Sequence, residues 1–168
     1  ALVGLLNAFW ESKGVANAEE FRQFSAPVVP LARFSKAVYK NNEQFTADIE
    51  IANYSSEEIN NKNIKWALTN ASGQPLQEGI IPLTNIKIGG GNIAGKISCS
   101  LSEVKKAERL ALRVSIENSS YKNTWNIWVY PATLTIEKEE IVVTDKLTET
   151  QKALAAGKTV LFNPPYQL

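Results

Sequence analysis

The sequence predicts a mainly β protein, an antiparallel β-sandwich of the immunoglobulin-like or fibronectin-like type with short helical segments at both ends. Two observations lead to this prediction. Apolar residues alternate with polar ones in several short runs, as in strands that have one buried and one solvated face. Polar or glycine-rich turn sequences separate these runs, which is typical of antiparallel sandwiches. We expect the sandwich over residues 28–134.

Four runs show the alternation. Their predicted inward residues are Phe45, Ala47, Ile49 and Ile51; Ile64, Trp66 and Leu68; Ile93, Ile97, Cys99 and Leu101; and Leu110, Leu112, Val114 and Ile116. Trp66 is bulky enough to fill space between two sheets. Because Cys99 is the one cysteine of the sequence, an antibody-type disulfide is excluded.

The run from Tyr121 to Pro131 departs from this pattern because it is apolar on both faces. Trp125, Ile127 and Val129 form one face, while Trp128 and Tyr130 lie on the other. A strand that is apolar on both faces is normally covered on both. We therefore expect a neighbouring segment, another chain or a ligand against the outer side of this strand.

Two short helices are predicted before residue 26. The first is indicated by apolar residues at helical spacing, namely Leu2, Leu5, Leu6, Phe9 and Trp10. Gly14 would end it. Asn17 and Glu20 have the spacing of a capping box for the second helix. Pro27 and Pro30 then favour extended backbone.

A β–α–β unit is predicted near the end of the sequence. An apolar run at residues 141–143 precedes a helix with Thr148 and Gln151 as its capping box, and Gly157 follows as a stop. A second strand is expected at residues 160–162. The unit is too small to be a domain, so it opens a following α/β-type domain or packs as an extension.

Charge and composition exclude several functions. The 168 residues include 18 Lys and Arg, 17 Asp and Glu, and no His, for a net charge of +1. This balance predicts neither a nucleic-acid partner nor an anionic membrane partner. Without histidine, a His-centred triad, a His metal site and the usual zinc coordination are impossible within the chain. We predict no metal and no cofactor, and a packing or binding module is favoured over a catalyst.

The first residues do not form a typical leader. Residues 1–9 are apolar, but they lack a basic flank and a small-residue cleavage site. No apolar stretch is long enough for a transmembrane helix. The sequence contains no Met, so we expect it to start after processing or at an internal cut.

Four stretches, at residues 5–14, 20–33, 121–131 and 147–165, resemble bacterial glycoside hydrolases related to family 2, which are β-galactosidase- or β-glucuronidase-like enzymes. LLNAFWESKG at residues 5–14 and EFRQFSAPVVPLAR at residues 20–33 resemble the stretch that closes the catalytic (β/α)8 barrel of these enzymes and enters a β-sandwich. YKNTWNIWVYP at residues 121–131 is similar to the last strand of that sandwich. Residues 147–165 resemble the start of the domain that follows.

The resemblance implies a role in carbohydrate degradation as part of a larger enzyme. Residues 1–27 would end the barrel, residues 28–134 would form a non-catalytic accessory sandwich, and residues 135–168 would begin the next domain. The two catalytic glutamates of the family lie upstream, so no catalytic residue is expected and this chain is not itself an enzyme. The implied partners are the neighbouring domains, and the implied location is periplasmic or secreted.

Several candidate catalytic groups have simpler interpretations. Asp48 and Glu50 lie roughly 7 Å apart along one strand, but on a solvated face that offers no pocket and no burial to raise an acid's pKa. Glu137, Glu139 and Glu140 form a charged turn. The glycines at residues 89–91 lack the Lys-Ser/Thr of a phosphate loop and precede a strand, which favours a hairpin loop. Cys99 is expected to be a core residue.

The candidate binding residues are Trp128 and Tyr130 on the outer face of their strand, with Asn126 beside them. Aromatic rings can stack on the apolar faces of sugars, and amide groups can bind hydroxyls. Packing of these residues against an adjoining domain is the preferred interpretation, and a carbohydrate-binding module for a polysaccharide is the alternative. Aromatic residues near the start, Trp10, Phe21 and Phe24, are expected to pack on the missing barrel or over the sandwich.

Overall fold

A computed structural model describes residues 4–133 and 141–165 of the chain. The chain divides into two compact units, Ala1–Ala132 and Thr133–Leu168. The predicted charged turn of Glu137, Glu139 and Glu140 lies outside the described residues, as does Leu2. No described helix is both long and apolar enough to cross a bilayer.

The first unit contains one short helix and eight strands in its described residues. In chain order these are α1 (Ala18–Arg22), β1 (Val28–Arg33), β2 (Val38–Lys40), β3 (Gln44–Asn53), β4 (Ile59–Thr69), β5 (Pro75–Ile86), β6 (Gly89–Ser100), β7 (Glu108–Ile116) and β8 (Lys122–Tyr130). The three-stranded sheet has the order β1-β3-β6, and the five-stranded sheet has the order β2-β8-β7-β4-β5. The pairs are antiparallel except β2 with β8. The predicted fold class, mainly β with antiparallel sheets and short helices, is confirmed.

The core consists of the inward side chains of both sheets. Phe45, Ile49 and Ile51 of β3 and Leu110 and Leu112 of β7 are all fully buried. Every predicted inward position of these two strands is buried, because a period of two brings alternate residues to one face. Burial of each large side chain contributes about 1.5–3 kcal/mol.

The prediction for Ile93 is wrong: its side chain is 80% exposed, whereas the later inward positions of the same run are buried. On β3, Ile49 pairs with Gly95 and Glu50 pairs with Ile93, which leaves Ala94 as the extra residue of a β-bulge. A one-residue shift moves every preceding side chain to the opposite face. Ile93 therefore lies on the outer side of its sheet with Glu50.

Trp66 lies at the margin of the core rather than at its centre. Its ring is partly buried and packs against the core cluster. The ring also lies over Gly79, the residue that pairs with Trp66 on β5. Since β5 is an edge strand, the indole covers backbone where the sheet ends.

The first predicted helix is wrong for the described residues from Gly4 onward. The backbone turns back on itself, and Leu6 forms an antiparallel bridge with Ser12. Within the turn, Asn7 Oδ1 accepts hydrogen bonds from the amides of Phe9 at 2.8 Å and Glu11 at 3.0 Å. Asparagine side chains that bind nearby amides compete with helix formation, which explains why the helical spacing misleads here.

The second predicted helix exists as α1. Asn17 Oδ1 accepts from the Glu20 amide at 2.9 Å, and the Glu20 carboxylate accepts from the Asn17 amide at 2.8 Å. This is the predicted capping box, in which each side chain satisfies the other residue's free amide.

The second unit contains β9 (Val142–Thr144), α2 (Leu147–Ala155) and β10 (Val160–Phe162). The strands β9 and β10 pair in parallel, as a β–α–β connection requires. The predicted capping box of Thr148 and Gln151 is wrong, because α2 begins at Leu147 and lacks a side-chain cap. The Thr144 hydroxyl instead accepts from the Lys146 amide and donates to Glu149.

Candidate functional site

The candidate site is the outer face of the five-stranded sheet along β7 and β8, which we call the outer face. Alternation along β8 places Ile127 and Val129 in the core, so Asn126, Trp128 and Tyr130 project outward. Trp128 is 41% exposed and Tyr130 is 46% exposed. The described residues thus leave both rings accessible on one side of the first unit.

Strand pairing determines the neighbours of these rings. Trp128 pairs with Val38 on β2 and with Arg109 on β7, and Tyr130 pairs with Lys40. Directly opposite side chains project to the same face about 5 Å apart. The Trp128 amide donates to the Ala37 carbonyl at 2.8 Å, which holds β2 beside β8. The rings of Trp128 and Tyr130 therefore have cationic side chains, Arg109 and Lys40, as cross-strand neighbours.

The outward residues of β7 add to these neighbours. Arg109, Ala111 and Arg113 alternate with buried leucines, so the two arginines are about 13 Å apart with a small residue between them. Asn126 lies opposite Ala111, and Thr124 lies opposite Arg113. Neither Arg109 nor Arg113 takes part in an ion pair within residues 4–133 and 141–165. The outer face therefore combines exposed rings with two guanidinium groups that form no ion pair with a described residue.

Shallow depressions surround Ser115 at the other end of the outer face. One, of about 530 Å³, includes Lys65 and Arg113 in its lining. A second, of about 440 Å³, lies between α1 and β8. Here the lysines are neutralised: Lys122 binds Glu19 at 2.6 Å and Lys65 binds Glu117 at 2.8 Å. The hydrogen bond from Lys122 lowers the pKa of Glu19.

The two carboxylates considered for catalysis, Asp48 and Glu50, lie on the other sheet. Glu50 accepts hydrogen bonds from Arg33 at 3.1 and 3.2 Å, and Asp48 is 3.8 Å from Lys96. Each carboxylate therefore has its own cation. Asp48 lines a depression of about 570 Å³ together with Arg33 and Lys96, but Glu50 is not part of that lining, so the two carboxylates do not converge there. Within the described residues, no group of three or more acidic or thiol side chains could hold a metal ion.

Cys99 and the glycine run have structural surroundings. Cys99 is buried in the core, and burial raises the pKa of its thiol to about 11, so the nucleophilic thiolate does not form near neutral pH. The glycines at residues 89–91 begin β6. Asn92 Nδ2 donates to the carbonyls of Lys87, Gly89 and Ile51, which ties this connection to β3.

Aromatic residues before β1 form a second exposed surface, which we call the N-terminal aromatic segment (residues 4–24). Phe9 is 81% exposed, Trp10 is 84% exposed and Phe24 is 62% exposed. The Phe21 and Phe24 rings meet edge to face at 5.1 Å. Within the described residues, this segment buries little of its apolar surface.

The sequence pattern predicted Trp128, Tyr130 and Asn126 as candidate binding residues, and the structure adds Arg109, Arg113, Val38 and Lys40 as their neighbours on the same face. Alternation along β7 could have indicated that both arginines project outward. Their position beside Trp128 depends on the register between strands, which the local pattern does not contain.

Comparisons with solved structures find weak likenesses. An alkylpurine DNA glycosylase AlkC of Pseudomonas fluorescens, bound to DNA with an abasic-site analogue, is 10% identical over 62% of this chain and 31% of that chain, with a TM-score of 0.43. A β-glucuronidase of Parabacteroides merdae is 10% identical over 61% of this chain and 13% of that chain (TM-score 0.39). The adhesin InvE of Yersinia pseudotuberculosis is 14% identical over 62% and 32% of the two chains (TM-score 0.38). This chain thus spans less than a third of each of these proteins.

A search among curated proteins finds no match. The model of one family, described as "Domain of unknown function (DUF8488)", matches residues 43–131. These residues include β3 to β8 entirely, and they are more than half of the chain. The chain therefore belongs to the DUF8488 family.

Proposed function

We propose that this chain is a non-catalytic β-sandwich region of a larger glycoside hydrolase, which separates neighbouring modules and packs against them. The resemblance of residues 5–14, 20–33 and 121–131 to family 2-like enzymes supports this proposal. The proposed organisation is the end of a barrel at residues 1–27, the sandwich at residues 28–134, and the start of another domain at residues 135–168.

The observation that carries the proposal is the exposure of the N-terminal aromatic segment. Phe9, Trp10 and Phe24 lie within 16 residues and are all mostly exposed. Folded monomers rarely expose extended apolar patches that have no role. A neighbouring module that covers these rings would supply the burial that the described residues do not provide.

The second unit supports the same organisation. Val143 and Leu161 form a cross-strand pair between β9 and β10, and both side chains are exposed. Parallel sheets are normally covered on both faces. The two parallel strands and one helix in the described residues of this unit are therefore suited to be the first part of a larger α/β sheet.

The proposal is tested by Trp10→Ala in two contexts. In the 168-residue chain the substitution should leave the melting temperature unchanged, because Trp10 is 84% exposed. In the longer enzyme it should lower the melting temperature, because the ring is buried against the neighbouring module there. Tyr54→Ala, at a residue that is 70% exposed outside the segment, is the control and should have no effect in either context.

Two results would contradict this function. One is a Trp10→Ala variant of the longer enzyme that melts like the wild type. The other is hydrolysis of chromogenic glycosides by the purified 168-residue chain.

Carbohydrate binding is a second candidate function, favoured by the exposure of Trp128 and Tyr130 on one face beside Asn126. Saturable binding to at least one polysaccharide in a panel, abolished by Trp128→Ala in a variant that still unfolds cooperatively, would support it. Absence of binding across the panel would exclude this second function and leave the packing role unaffected.

A further inference from the structure

We propose that the outer face binds a carboxylated polysaccharide, with sugar rings against Trp128 and Tyr130 and carboxylates against Arg109 and Arg113. The inference rests on the proposed carbohydrate-binding function. It adds the chemical class of the ligand and two residues that recognise its charge.

The two aromatic rings provide a stacking platform. Trp128 and Tyr130 project from the same side of β8 about 7 Å apart. Their strand is held between β2 and β7, so the backbone beneath the rings is supported on both sides. Large aromatic side chains lose little conformational entropy on binding, because only two torsions need to be ordered.

The arginines provide the charge selectivity. Arg109 lies directly opposite Trp128, so its guanidinium group can reach a substituent of a sugar stacked on the indole. The planar guanidinium group matches a carboxylate through two parallel hydrogen bonds. Lys65 and Lys122 on the same sheet already bind glutamates, whereas Arg109 and Arg113 have no acidic partner among the described residues.

The spacing of these groups favours an extended polymer over a folded acidic protein. Small or polar side chains, Ala111, Thr124 and Asn126, separate Arg113 from Trp128, so the described residues form no apolar pocket between these two side chains. Strong protein–protein contacts concentrate in such desolvated pockets. An extended chain with rings and charges along its length can contact the separated rings and arginines at once, and Asn126 can bind hydroxyls between them.

Three polymers distinguish the contributions of ring and charge. Polygalacturonate presents sugar rings with carboxylates, its methyl ester presents the same rings without charge, and poly-L-glutamate presents carboxylates without sugar rings. Affinity gel electrophoresis of the 168-residue chain measures binding to each polymer at one fixed ionic strength.

We expect binding to polygalacturonate and much weaker binding to the other two polymers. Arg109→Gln and Arg113→Gln should each weaken binding by about tenfold, as expected for loss of a charge-assisted hydrogen bond. Trp128→Ala should weaken it at least as much. Arg33→Gln, which removes the same charge from the other sheet, is the matched control and should bind like the wild type. Thermal melting of every variant verifies that it is folded.

The alternative results overturn the proposal in different ways. Equal binding of polygalacturonate and its methyl ester would support carbohydrate binding by the outer face but exclude recognition of the carboxylates by the arginines. Equal binding of poly-L-glutamate would make the surface a site for acidic chains of any kind. Absence of binding to every polysaccharide would exclude both this inference and the carbohydrate-binding function. An equal loss of binding in Arg33→Gln would show that the effect is net charge alone.

Discussion

Replacement of Gly79 by alanine tests the packing of Trp66 at the edge of the five-stranded sheet. An ideal Cβ at residue 79 would lie 2.8 Å from Nε1 and 2.9 Å from Cε2 of Trp66. Overpacking of this kind costs about 1–3 kcal/mol. The reduced entropy of the unfolded alanine variant offsets about 0.4–1 kcal/mol of that cost. We therefore expect Gly79→Ala to lower the free energy of unfolding by about 1–2 kcal/mol.

The cause of this loss is tested by a double-mutant cycle with Trp66→Leu. Leucine at residue 66 removes the indole atoms that the new methyl group meets, so Gly79→Ala should become neutral or slightly stabilising there. The expected coupling free energy is about 1 kcal/mol or more. Gly90→Ala is the matched control, because its Cβ would meet only the end of the Tyr54 side chain at 3.2 Å.

Urea denaturation followed by tryptophan fluorescence measures these free energies in the first unit alone. All four tryptophans, Trp10, Trp66, Trp125 and Trp128, belong to that unit. Two results would refute the reasoning: the same stability for Gly79→Ala and Gly90→Ala, or the same cost of Gly79→Ala whether residue 66 is Trp or Leu.

Three further results are expected. The free energy of unfolding of the first unit should fall as the pH drops below 4.5. A hydrogen bond from Lys65 lowers the pKa of Glu117 in the folded state from its ordinary value of 4.5, and protonation of this carboxylate removes the attraction. Glu117→Gln should make the melting temperature less dependent on pH, and an unchanged pH dependence would contradict this. Asn123→Ala should lower the free energy of unfolding, measured by urea denaturation, by about 1–3 kcal/mol. The reason is that Asn123 Nδ2 donates a hydrogen bond to the buried Pro30 carbonyl on β1 at 3.0 Å. An unchanged free energy of unfolding would contradict a stabilising role of this hydrogen bond. Cys99 should react with a thiol reagent at neutral pH only in denaturant, because it is buried and its pKa is raised to about 11; fast reaction of the folded chain would contradict its burial.

The alternation of apolar and polar residues was sufficient to predict β3 and β7, because one face of each strand is apolar and the other is polar. It failed at Ile93 because the β-bulge at Ala94 depends on the pairing of β6 with β3. The only local signal was Gly95, since glycine inside a strand often marks a bulge. A pattern read along one strand does not reveal how many residues face its partner.

The segment before α1 shows a second limit of pattern reading. Leu5, Leu6 and Phe9 have helical spacing, but spacing does not account for side chains that compete for backbone amides. Asn7 binds two such amides in the turn. The capping box of α1 was predictable because its interactions span only three residues.

The aromatic part of the candidate site could be predicted from the run that forms β8. Both faces of this run are apolar, and only one face of a strand can lie against the core, so the other had to lie outside it. The position of Arg109 and Arg113 beside these rings could not be predicted in this way, because it depends on the register of β7 against β8, two separate strands. The roles of Trp128, Tyr130 and Asn126 stay predictions, as does the division of the chain into three domains.

Hydroxyl-radical footprinting of the aromatic residues tests the central claim, that the chain functions by packing against neighbouring modules, most directly. Oxidation rates of Phe9, Trp10 and Phe24 would be compared between the 168-residue chain and the longer enzyme, with Tyr54 as an internal reference. We predict that all three are oxidised rapidly in the chain and are strongly protected in the longer enzyme, while Tyr54 is unchanged. Equal oxidation of the three residues in both proteins would contradict the account.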